Sequence, residues 1–169
     1  YGIVPDIVTL GKPMGNGHPL SAVVARQALV ERFAEQARYF NTFGGNPVSC
    51  AVGLAVLDVL AQERLQENAH HVGGYLTAEL AALQTRHDLI GDVRGHGLFL
   101  GVELVQDRQT RQPAAAEAAS VVNGLRDRGV LIGITGPDEN VLKLRPPMVF
   151  AREHCQQLVA ALDDMLRAL

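Results

Sequence analysis

The chain is 169 residues long, 47% hydrophobic and 20% charged, the make-up of a folded globular unit with too much apolar material to stay disordered. Fifteen Lys and Arg against 18 Asp and Glu leave a formal charge of −3, which excludes the basic footprint that nucleic acid or an anionic membrane surface selects. No apolar run approaches the ~20 residues of a membrane span. Two distant cysteines, Cys50 and Cys155, form neither a disulfide framework nor a metal cluster, so the expected compartment is a reducing cytoplasm.

The sequence begins at Tyr1, and YGIVPDIVTL enters an apolar strand with no charged leader region, so the chain reads as cut from something longer. Asp6 to Leu10 and Leu20 to Ala25 are short β-rich runs separated by the loop GKPMGNGHP. Gln27 to Ala37 alternates apolar and charged positions at helical spacing, and the polar-aromatic stretch RYFNTFGGNP follows it. Pro47 marks a helix start, and VSCAVGLAVLDVL after it reads as a helix buried on most sides. From Glu63 to about Arg86, Leu65, Ala69, Val72, Leu76, Leu80 and Leu83 form one stripe of a long amphipathic helix, with Gly73 and Gly74 marking a kink or a close contact.

Strands are expected within Leu89 to Val105, at Val130 to Ile134 and at Val141 to Leu144. Ala114 to Arg128 reads as a helix, as does Glu153 to Leu169, which sets Cys155, Leu158, Leu162, Met165 and Leu169 on one face. The second half is thus a compact α/β unit, with the domain boundary expected around His87: residues 1–86 as one part including the long helix, 87–169 as the other.

Lys12 is the first candidate for chemistry. It follows a strand, opens a loop holding Gly11, Gly15 and Gly17, and precedes Pro13, which biases its backbone toward an extended conformation. A lysine that forms Schiff bases needs such a fixed stem and a neutral amine, whereas a turn lysine on the surface needs neither. The order of residues rules out a nucleotide P-loop. The second constellation, Asn41 to Pro47, combines the Thr42 hydroxyl, the N–H groups of two glycines and a following helix start into an anion cradle, or simply a tight loop. His70-His71 cannot share a helix face and reads as solvated, with no metal; Arg94-Gly95-His96-Gly97 reads as a bulge or turn.

Taken together, PDIVTLGKPMGNGHPLSAVV, NTFGGNPVSCAVGLAVLDVL, IGDVRGHGLFLGVELV and VLKLRPPMVF resemble, in order and over nearly the whole chain, the class III aminotransferases. That resemblance implies an aspartate-aminotransferase-like α/β fold (PLP fold type I), represented by part of the large domain plus the small C-terminal domain. It implies pyridoxal 5'-phosphate as cofactor and Lys12 as its Schiff-base lysine, which becomes a base once the substrate amine displaces it. It further implies a homodimer in which Thr42 reaches the cofactor phosphate in the partner subunit's site, with Gly44, Gly45 and Asn46 shaping that loop.

Where many family members place an arginine for the substrate carboxylate, this sequence has Lys143, three residues before Pro146; Lys143 lacks the bidentate fork, and Arg145 is positioned to substitute. The wording of these motifs is nearest to the phospho-lyases of phosphoethanolamine and phosphohydroxylysine. The expected reaction is therefore phosphate elimination from a phosphorylated primary amine, with His18 or Lys143 meeting the phosphate. The alternatives are ordinary transamination of an amino acid or amine, or a non-catalytic dimerisation module. The family's phosphate turn, stacking aromatic and pyridine-nitrogen aspartate stand upstream of the lysine and are absent from this sequence, so the chain by itself is expected not to sustain turnover.

Overall fold

The computed structural model describes residues 2–169; Tyr1, the start of the expected entry loop, lies outside them. The chain falls into two compact units, Tyr1–Glu63 and Arg64–Leu169. The second unit thus begins at Arg64 rather than near His87, and the long helix belongs with the C-terminal sheet. The reason is its apolar stripe: Val72, Leu76, Leu80 and Leu83 are buried in the same core as the strands that follow.

In the first unit, β1 (Ile7–Leu10) and β2 (Ala22–Ala25) form an antiparallel ribbon, with Ile7 opposite Ala25 and Leu10 opposite Ala22. Between them a single 3-10 turn spans Lys12–Gly15. Helix α1 (Gln27–Gln36) and helix α2 (Pro47–Gln62) follow. Within this chain only Gly53 of α2 is buried, against Leu20, while Val48, Leu54 and Leu57 are exposed. An all-round apolar sequence signals that a helix has something to bury, but not what covers it.

The second unit is a two-layer α/β structure. Its elements are α3 (Leu65–Arg86), β3 (Ile90–His96), β4 (Phe99–Asp107), β5 (Gln112–Pro113), α4 (Ala115–Asp127), β6 (Gly133–Thr135), β7 (Val141–Leu144) and α5 (Arg152–Arg167). The sheet is antiparallel in the order β3-β4-β7-β6, with β5 beside the end of β4. Leu100, Val102 and Leu104 alternate on the face of β4 that enters the core, where they join Leu142 and Leu144 of β7 and the apolar stripes of α3, α4 and α5.

Three local differences from the expected elements have physical reasons. The strand expected at Val130 starts only at Gly133, because the Val130 N–H donates back to the Leu125 carbonyl and the Gly129 N–H to that of Arg126, closing the end of α4. The buried face of α5 is Cys155, Leu158, Val159, Leu162 and Leu166; Met165 is only partly buried, and Leu169 lies beyond the helix. Gly73 makes a close contact rather than a kink: a Cβ there would lie 2.1 Å from the Gly97 carbonyl oxygen, and Gly97 itself has φ +54° in the β3–β4 turn. Buried Asn140, not anticipated, donates from Nδ2 to the Leu104 carbonyl at 2.8 Å and ties the entry of β7 to β4.

Candidate functional site

Lys12 sits where β1 ends. Its backbone is not extended as expected but left-handed, with φ +50°. The residue before proline is disfavoured in the right-handed helical region, and Lys12, at the start of the 3-10 turn, stands at positive φ instead of in the extended region that proline favours. A long, non-glycine side chain held at such a φ is locally strained, and strain of this kind persists where the surroundings over-determine it. Those surroundings are visible: the Asn16 N–H donates to the Pro13 carbonyl at 2.9 Å and the His18 N–H to the Gly15 carbonyl at 3.0 Å. Gly15 is buried and the Lys12 side chain is exposed. The result is a primary amine on a flexible stem whose root is set by the loop backbone.

His18 leaves this loop toward α2, and its Nε2 shares a hydrogen bond with Ser49 Oγ at 2.8 Å. Ser49 lies in the first turn of α2, where Asn46 caps the helix: Asn46 Oδ1 accepts from the Ser49 N–H at 2.9 Å. The Asn46 amide donates to Ser49 Oγ at 2.9 Å and to the Phe43 carbonyl at 3.0 Å. The sequence motifs point to His18 but not to Ser49; Asn three residues before Ser at a proline-opened helix is a cap signal that identifies the bond to the Ser49 N–H.

The Thr42 loop is narrower in its chemistry than the cradle expected. Asn41 Oδ1 accepts from the N–H groups of Phe43 and Gly44 at 3.2 and 3.0 Å, and the helix-start donor at Ser49 is taken by Asn46. Gly44 therefore shapes the loop; a Cβ there would lie 2.9 Å from Asn41 Cγ. The exposed Thr42 hydroxyl remains available to an anion. Pyridoxal 5'-phosphate requires an amine for its aldehyde and donors for its phosphate, and Lys12 and Thr42 have the chemistry for those two ends.

Lys143 and Arg145 belong to the second unit. Both line a cavity of about 610 Å³ together with Leu131, Pro147, His154 and Gln157, and no carboxylate lines it. The His154 Nδ1 accepts from the Ala151 N–H at 3.0 Å, which assigns the ring proton of the neutral imidazole to Nε2. Arg94 is engaged by Asp92 at 2.7 Å and by Glu103, a structural pairing on the sheet that holds its guanidinium above its ordinary value through hydrogen bonds to both. His70 lies with its ring centroid 5.7 Å from that of His71 and 6.0 Å from that of His96. No group of three or more metal-ligating side chains forms among the described residues.

A lysine at a strand end on positive-φ backbone and a small sheet-and-helix unit after it define a class that comparison with known proteins names. The family pattern "Aminotransferase class-III" matches residues 1–166, and the chain belongs to that family. It is 48% identical to "Alanine--glyoxylate aminotransferase 2 homolog 2, mitochondrial" of Arabidopsis thaliana, covering 96% of this chain and 34% of that protein. To "Ethanolamine-phosphate phospho-lyase homolog 1" of Caenorhabditis elegans it is 45% identical, covering 98% of this chain and 36% of that protein. The solved structure of an Arthrobacter phospholyase in complex with phosphoethanolamine superposes with a TM-score of 0.95 at 45% identity, over 100% of this chain and 40% of that one. The fold is that of the PLP-dependent fold type I enzymes, and the chain spans about a third of the length of the curated relatives it matches.

Proposed function

We propose that the chain carries the Schiff-base lysine and part of the substrate contacts of a pyridoxal-phosphate enzyme that eliminates phosphate from a phosphorylated primary amine such as phosphoethanolamine. The observation that carries this reading is Lys12: an exposed amine at the end of β1, on backbone held at φ +50°. The cofactor, when bound, supplies an aldehyde for amines and an electron-accepting ring. Lys12 Nζ holds that aldehyde at rest, and the Thr42 hydroxyl, reaching across a homodimer, donates to the phosphate. Displaced by the substrate amine, Lys12 Nζ is the base that takes the proton from the carbon bearing the nitrogen. Loss of that proton allows the neighbouring C–O bond to break and phosphate to leave.

Lys143 supports a substrate without a carboxylate. Lysine offers a point charge rather than a planar fork, and in a cavity without carboxylates Lys143 and Arg145 suit a phosphate. His18, the third candidate for that phosphate, already shares its Nε2 with Ser49. Transamination is the second reading, favoured by the aminotransferase among the similar proteins; there Lys12 returns the proton instead. The exposed apolar residues of α2 support the homodimer, and light scattering measures it. The cytoplasm remains the proposed compartment, with both cysteines free thiols, and fluorescence localisation of the full-length protein tests it.

Borohydride reduction of the full-length protein with added cofactor is expected to leave a pyridoxyl adduct on Lys12. Intact protein without that adduct points to a non-catalytic module. Phosphate release from phosphoethanolamine, measured against amino transfer to pyruvate, separates the two chemistries.

A further inference from the structure

His18 is a candidate for the substrate phosphate and Ser49 has no assigned task, yet together they join two loops the proposed function needs. Among the described residues, the bond between His18 Nε2 and Ser49 Oγ is the one side-chain hydrogen bond linking the 11–20 loop to another segment. At one end of it, His18 is locked to Gly15 by its backbone N–H, and Asn16 to Pro13, so a displacement of His18 is carried back to Lys12 within two short turns. At the other end, Ser49 is held through both its N–H and its hydroxyl by Asn46, whose amide also grips the Phe43 carbonyl beside Thr42.

We propose that His18 and Ser49 are positioning residues: their hydrogen bond anchors the strained Lys12 loop to the start of α2 and fixes the spacing between the lysine loop and the Thr42 loop. Lys12 at φ +50° relaxes unless its loop is held from outside, and the contact between Leu20 and Gly53 is apolar and without direction. A hydrogen bond between two groups that are themselves fixed gives the direction that packing lacks. It also accounts for His18 without a role at substrate. The inference rests on the proposed Schiff-base function of Lys12, but the anchor itself is measurable without cofactor.

The test uses the full-length protein with His18→Phe, Ser49→Ala, the double variant, and His18→Gln, whose amide reaches the place of Nε2. Cofactor dissociation is expected to speed up roughly tenfold in each of the first two, the effect of one directional hydrogen bond. The pH midpoint of the Lys12 Schiff-base absorbance is expected to move with it, and the double variant to be no worse than His18→Phe alone. His18→Gln is expected to recover most of both properties. In the cofactor-free protein, hydrogen exchange in the 11–20 and 41–50 segments is expected to accelerate together. Additive single effects, unchanged exchange in either segment, or a rise in KM for the amine with cofactor retention intact would overturn the proposal. A wild-type protein without an adduct on Lys12 would remove the functional reading, while exchange would still judge the anchor.

Discussion

The residues with the most chemistry stand at positions where the backbone or a neighbour restricts them. Lys12 combines a flexible four-carbon stem with a backbone held in the left-handed region, and the stem's freedom is reduced at its root. On the proposed function, Lys143 is the residue on which substrate choice would turn. Replacing it by arginine restores the planar fork that pairs with a carboxylate. Lys143→Arg is expected to improve turnover of carboxylate-bearing amino donors several-fold relative to phosphoethanolamine, read as the ratio of kcat/KM values; an unchanged ratio would remove Lys143 from substrate recognition.

Among the elements, α3 shows how one face sets both packing and tolerance. Gly73 meets the Gly97 backbone, while a Cβ on adjacent Gly74 would have nothing within 4 Å. Gly73→Ala is therefore expected to destabilise the chain by about 1–3 kcal/mol through overpacking. Gly74→Ala is expected to stabilise it by roughly 0.5–1 kcal/mol through helix propensity and a less free unfolded chain. Chemical denaturation of the two variants side by side checks the pair. The end of α3 is tied to α5 by Asp163, which meets His87 Nε2 at 2.5 Å, Arg86 at 3.1 Å and Arg167 at 2.6 Å. The hydrogen bond from His87, ahead of the nearby arginines, holds the Asp163 carboxyl below the usual aspartate range. Its contribution is present above the unfolded-chain value of about 4 and is lost as pH falls through the lower folded-state value. Asp163→Asn is expected to lower the melting temperature by a few degrees at pH 7, the effect of about 1 kcal/mol, with the difference from wild type narrowing as the pH of a thermal-melt series falls below about 4.

For the whole molecule, the two units differ in how much they bury. The fully buried large side chains all belong to Arg64–Leu169, while in the first unit β1 is exposed along its length. Hydrogen exchange on the 169-residue chain is expected to show slow amides in α3, β4 and α5 and amides at least a hundredfold faster in β1, β2 and α1; equal protection would contradict that division.

Most of the elements, and the groups proposed to carry the chemistry, were legible in the linear order of residues. Helix periods are local, so the stripe of α3 and the start of α2 at Pro47 were legible, and the ordered motifs led to the family and to Lys12 and Thr42 as proposed site residues. Tertiary structure decided what depends on partners distant in sequence. It turned the Lys12 backbone left-handed, used the Gly44 N–H inside its own loop and joined His18 to Ser49 across 31 positions. It also assigned α3 to the C-terminal unit. The physical reason is common to all of these: periodicity states that a face is apolar and composition states which groups are present, but a hydrogen bond or a buried contact is fixed only when the fold brings its second partner into range.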